Sequence, residues 1–548
     1  MRASFSCQMK QPLGKLMHPV TRTLLAALIL MGMIASVGPT PSDRAQAQTA
    51  AGWHQHAYNA QRTSYAPNAV PYPWRWKWAW NGPDSSGGVA AGKTALPRGV
   101  QPVTGGGKVY VARGADGLVA LDGSTGTVVW TASPGGAINS TAAYDPDTNA
   151  LFAVSSSGTL YRLDADSGAV TGAFAADGDS LLPLPPAIHG SQVFFSMGSA
   201  VYALDKVSMQ PDWAYSAGSA VHTPPAYSPS RNLVIVAAQD LYVHAVDNAT
   251  GQRRWRVKHT PLSPGDPADV NPYAEVSYGW PALAEAHGYA LVKLRLNWTT
   301  LWQEYPPDNA AIRQFLEANP DHQALLVIDL DDGSQPFVAN IGHGGFGNGG
   351  YMPMGFQPAV RQFDDGTEVA YVLARGELRY DPRWDSHLAE LVLDDTTADG
   401  FLPGYFRYID FAGTTIGSGD VFLTDEQPFV SAAGDYVFAN HWEASMYSLR
   451  ITDRGQSRGA YTNRIRAETL PTMIESQEGG CNNTTHFVTG SLVATRPYPS
   501  PRGGFHIFCN QGAIYDTYWS GYGATVVGDG LILTVSTSGA VVALAHAE

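Results

Sequence analysis

Short apolar runs separated by polar turns recur at a fixed distance between residues 100 and 260. The first copy ends in an apolar strand, a turn that reads DGSTG from Asp122, and a second strand. Equivalent aspartates follow at intervals of 42, 41 and 42 residues, at Asp164, Asp205 and Asp247. A unit of about 42 residues with four short strands cannot bury both faces alone, so copies must stack. The period therefore predicts blades of a β-propeller.

Two positions of the repeat have a predicted role in docking one blade on the next. The aspartate accepts backbone N–H bonds in a tight hairpin, and a glycine four residues later supplies a positive φ. Eight residues after the aspartate stands a tryptophan, at Trp130, Trp213 and Trp255, whose flat ring covers the joint with the next sheet. The second copy has Phe174 instead, two residues late, and an even displacement keeps that ring on the same strand face.

The repeat is clear over residues 100–260 and diverged over residues 261–548. Ile328-Asp329 with Phe337, and later Leu393-Asp394, preserve fragments of it. The interval of 82 residues from Asp247 to Asp329 indicates one blade with a helical insertion near residues 297–322. The whole chain predicts an all-β fold, a single propeller of about eight four-stranded antiparallel blades, with nine blades as the alternative.

The two ends of the chain are predicted to complete one blade together. The C-terminal segment resembles the first three strands of a blade and then stops. The missing strand is supplied by a strict alternation near the N-terminus, which places four tryptophans on one face. These ring-closing residues are Trp74, Trp76, Trp78 and Trp80. An aromatic platform for sugars is the weaker alternative, because four exposed rings would form a costly apolar patch.

Residues 1–47 predict a secretory signal peptide. Basic side chains up to Arg22 precede an apolar run over residues 23–37 and a small-residue stretch. That run is shorter than the roughly 20 residues of a membrane-spanning helix. We expect a secreted or periplasmic chain that begins near Gln48, forms one domain over 48–548 and has no membrane span; an uncleaved signal anchor is the alternative.

The net charge excludes one class of binding partner, and the cysteine content indicates a possible disulfide. The formal net charge of −14 lacks the positive charge that nucleic-acid binding requires, so nucleic-acid partners are excluded. Cys481 and Cys509 remain after signal cleavage, and an oxidising compartment favours a disulfide between them. Two buried free thiols are the alternative, because sequence does not give their distance.

The motif A/V-L/V-D-x-x-T-G-x-x-x-W is complete in residues 120–130 and 245–255, and residues 203–213 keep its aspartate and tryptophan; it closely resembles the repeat of the pyrroloquinoline quinone (PQQ) propellers. The resemblance implies a β-propeller fold. It leaves two kinds of function open. The superfamily includes PQQ- and calcium-dependent alcohol and glucose dehydrogenases, and it also includes non-catalytic members such as the outer-membrane assembly lipoprotein. Fold alone does not choose between them. The adjacent cysteine pair of the alcohol dehydrogenases is absent, which places the chain closer to the non-catalytic members.

Candidate site residues are few. A glycine-rich segment over residues 341–351 lets backbone approach a ligand, with His343, Asn348 and Tyr351 as polar contacts; a plain crossing between blades is the alternative. Acidic runs at 145–149 and 329–333 resemble oxygen-ligand loops for a metal, but they fall at blade turns and lack the full calcium-loop pattern.

These observations predict an exported, non-catalytic scaffold that binds a protein or a cell-surface polymer on a propeller face, with no cofactor. The alternative is a quinoprotein oxidoreductase acting on alcohols or sugars, with PQQ and calcium in the central channel. A third hypothesis is a carbohydrate-active protein that uses exposed aromatic residues such as Trp298 and Trp302.

Overall fold

Eight blades follow one another around a ring, as predicted, and the first strand of each blade contacts the first strands of both neighbours. The structure is a computed structural model. It describes residues 52–72, 74–81, 96–97, 99–177, 182–264, 274–276, 279–294, 309–341, 357–374, 385–394, 402–411, 422–424, 429–440, 445–453, 464–469, 504–506, 524–535 and 541–546. Because contacts between first strands run all the way around, the ring is closed.

Blades 1 to 4 are regular antiparallel sheets whose strands pair in chain order. Two strands precede them, β1 (Tyr65–Ala66) and β2 (Trp74–Trp80). Blade 1 contains β3 (Val103–Gly105), β4 (Lys108–Ala112), β5 (Leu118–Asp122) and β6 (Val128–Ala132); blade 2 contains β7 (Ala143–Asp145), β8 (Ala150–Val154), β9 (Thr159–Asp164) and β10 (Val170–Ala175). Blade 3 contains β11 (Ala187–His189), β12 (Gln192–Met197), β13 (Ala200–Asp205) and β14 (Pro211–Ser216); blade 4 contains β15 (Ala226–Ser228), β16 (Leu233–Ala237), β17 (Val243–Asp247) and β18 (Arg253–Val257).

Blades 5 to 8 follow the same plan with additions, and the outermost strands of blades 6 and 7 pair in parallel, so these two blades form one continuous sheet. Blade 5 contains β19 (Ala282–Ala284), β20 (Tyr289–Lys293) and β21 (Leu325–Asp329) among the residues described; blade 6 contains β22 (Ala359–Gln362), β23 (Glu368–Ala374), β24 (Asp385–Val392) and β25 (Phe406–Phe411). Strand β26 (Phe422–Thr424) pairs with β24. Blade 7 contains β27 (Val430–Ala433), β28 (Tyr436–Asn440), β29 (Ser445–Asp453) and β30 (Arg464–Thr469), and β31 (Gly504–His506) pairs with β29. Blade 8 contains β32 (Thr525–Gly528), β33 (Leu531–Val535) and β34 (Val541–His546), with β2 as its fourth strand.

The predicted helical insertion lies between the second and third strands of blade 5. It forms helix α1 (Asn309–Ala318) and a 3-10 turn, Pro320–His322. Ile312 and Leu316 share one face of α1 and are buried, because a spacing of four places them one turn apart. The long interval before Asp329 is therefore one blade with an insertion, and the count is eight. In the part of the chain described, no helix is both long and apolar enough to cross a membrane.

Each repeat aspartate closes the hairpin between the last two strands of its blade. Its Oδ1 accepts the backbone N–H three residues later at 2.7–3.0 Å, in the turns of Asp122, Asp164, Asp205 and Asp247. Hydroxyl groups of the same turns, from Ser124, Ser167 and Ser208, also donate to these carboxylates. Together with the backbone hydrogen bonds they stabilise the ionised form and lower the pKa of Asp122, Asp164 and Asp205. The motif thus stabilises a local turn, and its carboxylates lie at the hairpins of the blades.

The repeat tryptophans lie on the turn of the following blade. Trp130 Nε1 donates to the carbonyl of Ala165 at 3.1 Å, directly after the aspartate of blade 2. Trp213 and Trp255 make the same bond to Asn248 and Leu330 of the next blades, at 2.8 and 2.9 Å. A large ring that packs flat on a turn needs a glycine beneath it. The four turn glycines have a positive φ, and a Cβ on any of them would lie 2.6–3.0 Å from a tryptophan of the preceding blade: Gly126, Gly168, Gly251 and Gly333.

The joint between blades 2 and 3 reverses this arrangement. The tryptophan position of blade 2 is Gly172, and the turn glycine of blade 3 is replaced by Met209, which has φ +58°. A Cβ on Gly172 would lie 2.9 Å from Met209 Cγ, so the methionine side chain fills the space that a tryptophan ring occupies elsewhere. Phe174 packs edge-on against Phe195 and Tyr202 of blade 3. The large residue therefore comes from the opposite side of this joint.

Ring closure by the N-terminal strand is confirmed, but the tryptophans do not share one face. β2 pairs antiparallel with β34, and the register shifts between Trp76 and Trp78. Trp74 contacts Tyr436 and Phe438 of blade 7, whereas Trp78 Nε1 donates to the Gly123 carbonyl of blade 1 at 2.9 Å. A bulge adds one residue to a strand and reverses the alternation beyond it. The expectation of a single tryptophan face was therefore wrong.

Candidate functional site

Residues 52–66, here called the axial segment, run along the inner strands of the blades. In six blades the segment accepts a backbone N–H bond from the inner strand. The donors, each with the residue whose carbonyl accepts, are Thr104 (Trp53), Tyr144 (His54), Tyr227 (Ala60), Leu283 (Gln61), Val360 (Thr63) and Ala432 (Ser64). The inner edge of each blade would otherwise have unpaired backbone groups, which are costly when buried. The segment satisfies them in chain order around the ring.

The two remaining blades contact the axial segment in other ways. In blade 3 the Gln55 side chain replaces the backbone, since its Oε1 accepts from the Ile188 N–H at 2.8 Å and its Nε2 donates to the Ile188 carbonyl at 3.0 Å. In blade 8 a Cβ on Gly528 would lie 2.3 Å from the backbone nitrogen of Trp53. Glycine is required there because the two backbones are in direct contact.

A short segment can reach every blade only by turning sharply. Four residues of the axial segment that are not glycine have a positive φ: Ala57, Tyr58, Arg62 and Ser64. Each such residue costs on the order of 1 kcal/mol or more, and that strain persists only where the surrounding contacts outweigh it. The hydrogen bonds to the inner strands supply those contacts.

The Arg62 side chain of the axial segment is completely buried, with 0% exposure, and is fixed by three hydrogen bonds. Its Nε donates to the Pro225 carbonyl at 3.0 Å, Nη1 to His56 at 2.9 Å and Nη2 to Pro185 at 2.9 Å. Pro185 and Pro225 lead into the inner strands of blades 3 and 4, so one guanidinium joins two blades and the segment. Burial lowers the pKa of Arg62 to about 9, which leaves it cationic at neutral pH.

His56 lies beside Arg62 and is nearly as buried. Its ring packs edge-on against Trp280 with 4.5 Å between centroids, and Trp280 Nε1 donates to the Arg62 carbonyl at 3.2 Å. His56 Nδ1 has no hydrogen-bond partner among the residues described. Burial, and secondarily the Arg62 charge, lowers the pKa of His56 well below 6.5. The imidazole is therefore neutral in the folded protein.

Replacing His56 with glutamine is expected to flatten the acid side of the stability curve. Below about pH 6.5 the unfolded chain binds a proton that the folded chain does not, so the stability due to neutral His56 is present above that pH and lost as the pH falls. Urea unfolding at a series of pH values measures this. Between about pH 6.5 and 5, the free energy of unfolding of the parent should fall more steeply than that of His56→Gln, by up to about 1.4 kcal/mol per pH unit. Parallel curves would contradict a neutral buried His56.

The side chains of the axial segment are not the oxygen ligands that a calcium-bound quinone requires. Calcium takes about 6–8 oxygen ligands, with carboxylates prominent among them. Residues 52–66 contain no aspartate or glutamate, and Arg62 is cationic. Within the described ranges no three His, Cys, Asp or Glu side chains are grouped as a metal site requires.

The two acidic runs named above are engaged with cations of neighbouring blades. Lys206 Nζ of blade 3 lies 2.8 Å from Asp145 Oδ1 and 3.0 Å from Asp147 Oδ2. Arg231 Nε of blade 4 lies 2.9 Å from Asp331 Oδ1. These carboxylates join adjacent blades at their turns.

Apart from the ring-closing tryptophans of β2, the predicted site residues divide into two groups. The blade-docking aspartates and tryptophans lie at the turns between blades, away from the axial segment. The others lie outside the described residues: the loop residues His343, Asn348 and Tyr351, the cysteines Cys481 and Cys509, and the aromatics Trp298 and Trp302. The axial segment was not predicted from the sequence. Its signal is a stretch between the predicted signal peptide and β2 that is rich in amide, hydroxyl and imidazole side chains but has one formal charge, at Arg62.

The fold defined by these blades is an eight-bladed β-propeller. A family model described as "Outer membrane protein assembly factor BamB" matches residues 74–172 and 176–277, a little over a third of the chain. This match confirms the resemblance to the PQQ-like repeat family. No curated protein sequence matches the chain.

Several solved structures are similar in fold. BamB from Moraxella catarrhalis is 14% identical with a TM-score of 0.41, over 86% of this chain and 98% of that one. The quinohemoprotein alcohol dehydrogenase ADHIIG from Pseudomonas putida HK5 is 11% identical with a TM-score of 0.48, over 93% and 82%. The quinohemoprotein alcohol dehydrogenase from Comamonas testosteroni is 12% identical with a TM-score of 0.46, over 92% and 82%.

Proposed function

We propose that the protein is an exported PQQ-like repeat propeller that acts without catalysis as a scaffold for binding other molecules. The observation that carries the proposal is the axial segment. The resemblance places a cofactor of the catalytic relatives in the central channel, and here the chain's own residues hold the inner strands of the blades. The matching family model is described as an outer membrane protein assembly factor, and this description also supports a binding role.

Export is part of the same proposal. Cleavage near Gln48 would free an N-terminus four residues before Gly52, where the axial segment begins. The mature chain would thus start almost directly with the residues that line the inner strands. Binding then falls to the outward surfaces and loops of a rigid ring, where a protein or cell-surface polymer has access.

A cofactor titration tests the absence of catalysis. The protein is purified from the extracytoplasmic fraction, where N-terminal sequencing should find a start near Gln48, and is titrated with PQQ and Ca²⁺ while absorbance is followed. A dye-linked oxidation assay with alcohols and sugars accompanies it. We expect no saturable absorbance change at micromolar cofactor and no turnover, with a known quinoprotein dehydrogenase as the positive control. Saturable binding with turnover would establish the oxidoreductase and overturn the scaffold.

A further inference from the structure

The outermost strand of blade 4 is strongly basic in an acidic chain. Residues 253–258 contain Arg253, Arg254, Arg256 and Lys258, whereas the whole chain has a formal net charge of −14. No aspartate or glutamate occurs between Asp247 and Asp266. This strand therefore forms a positive strip on the rim of the propeller.

Part of the strip is committed to internal contacts and part is exposed. Arg256 lies 2.6 Å from Asp240 Oδ2 and 3.4 Å above the Tyr242 ring. Arg253 is exposed. Arg254 is exposed at the bulge of β18, and no carboxylate among the described residues pairs with it. Two guanidinium groups at one end of the strand thus face solvent.

The equivalent positions of the other regular blades are different. The pair that follows the repeat aspartate by six and seven residues is Val128-Val129 in blade 1, Val170-Thr171 in blade 2 and Pro211-Asp212 in blade 3. Proline cannot donate to an added strand, so it protects the edge of blade 3. The arginine pair is therefore a property of blade 4, and the hairpin itself does not require it.

The outer edge of β18 has no neighbouring strand among the residues described, and side-chain hydrogen bonds hold β18 itself on blade 5. Among the described strands β18 pairs only with β17, so its second edge presents unpaired backbone groups. The strand is anchored from behind, because Trp255 Nε1 donates to the Leu330 carbonyl at 2.9 Å and His259 Nε2 lies 2.7 Å from the Gly333 carbonyl. An open, rigid edge is a template for strand addition by an extended peptide.

We propose that an acidic, extended segment of a partner protein adds to blade 4 as a fifth strand beside β18. Backbone hydrogen bonds to the strand edge provide affinity, and carboxylates of the segment bind Arg253 and Arg254 through charge-assisted hydrogen bonds. The net negative charge of the rest of the chain repels such a segment, so the strip also sets its position. This inference rests on the proposed scaffold function and names the chemistry of its partner.

Binding of a defined probe tests the proposal. The probe is a fluorescein-labelled ten-residue peptide of alternating glutamate and valine, measured by fluorescence anisotropy with the full mature chain at low salt. We expect saturable binding that weakens with added salt and falls at least tenfold in Arg253→Gln/Arg254→Gln. The matched control is Val170→Asp/Thr171→Asp, which makes the same change in net charge on exposed residues of blade 2 and should keep affinity within about twofold. Circular dichroism confirms that both variants fold.

Three further probes separate strand addition from simple charge attraction. A version of the peptide N-methylated at alternate residues cannot donate its backbone bonds, and its binding should be lost. Equal binding of the methylated peptide would overturn strand addition. Heparin or phosphatidylglycerol vesicles that bind through Arg253 and Arg254, while the peptide does not, would overturn a protein partner. The outcome is independent of the cofactor titration, so turnover with PQQ would remove the scaffold function and leave this peptide result intact.

Discussion

Replacing Arg62 with methionine is expected to lower the free energy of unfolding by about 3–5 kcal/mol, because three buried carbonyls lose a charged hydrogen-bond donor. The guanidinium is completely buried, and it donates to three carbonyls that belong to two blades and to the axial segment. Methionine fills similar volume but leaves those carbonyls without this donor, and an unpaired buried polar group costs about 1–3 kcal/mol. Urea unfolding followed by tryptophan fluorescence measures the loss.

Two further variants make the Arg62 result specific. Lysine at position 62 keeps the charge but cannot reach three carbonyls as a planar fork does, so an intermediate loss is expected. Methionine at the exposed Arg254 is the matched control and should change stability by no more than about 0.5 kcal/mol. A loss below about 1 kcal/mol for Arg62→Met would show that the axial segment does not hold the blades together.

The reversed joint between blades 2 and 3 leads to the second large effect. Met209→Gly is expected to destabilise by about 2–4 kcal/mol, because it empties a filled buried site, although glycine relieves the strain of φ +58°. Gly172→Trp alone is expected to destabilise the protein by about 1–3 kcal/mol or more, because the tryptophan side chain would overlap Met209. The two changes together recreate the tryptophan-on-glycine joint of the other blades.

The double variant is therefore the informative one. Its loss should be at least about 2 kcal/mol smaller than the sum of the two single losses, a coupling in the range for residues in contact. Thermal and urea unfolding of all four proteins gives the cycle. Additive losses would mean that Met209 and Gly172 do not fill one shared space.

The repeated parts of the structure were accessible from sequence because each is specified locally. The Asp122 turn and Gly126 are read from neighbouring residues, and the period of about 42 residues identifies the blade as the repeating unit. The helical insertion was found for the same reason, since the apolar spacing of Ile312 and Leu316 lies within one segment. Closure of the ring by β2 followed from an incomplete last repeat, which leaves one strand to be supplied.

Pairing across blades was not accessible in this way. Strict alternation placed Trp74 and Trp78 on one face, but a bulge in β2 sends them to blades 7 and 1. The displaced Phe174 was found, yet its consequence depends on Met209, which comes from the next repeat and has no local signal. Both differences arise where two blades meet.

The sequence by itself determined the all-β repeat and the way in which the two ends complete one sheet, because those features depend on short periodic patterns; it left the blade number at eight or nine. Only the tertiary structure decided what occupies the inner edges of the blades. The axial segment is held by bonds such as the one from the Ala432 N–H to the Ser64 carbonyl, between residues far apart in the chain. Such bonds exist only after the ring has brought the inner strands together, so no local pattern of residues predicts them.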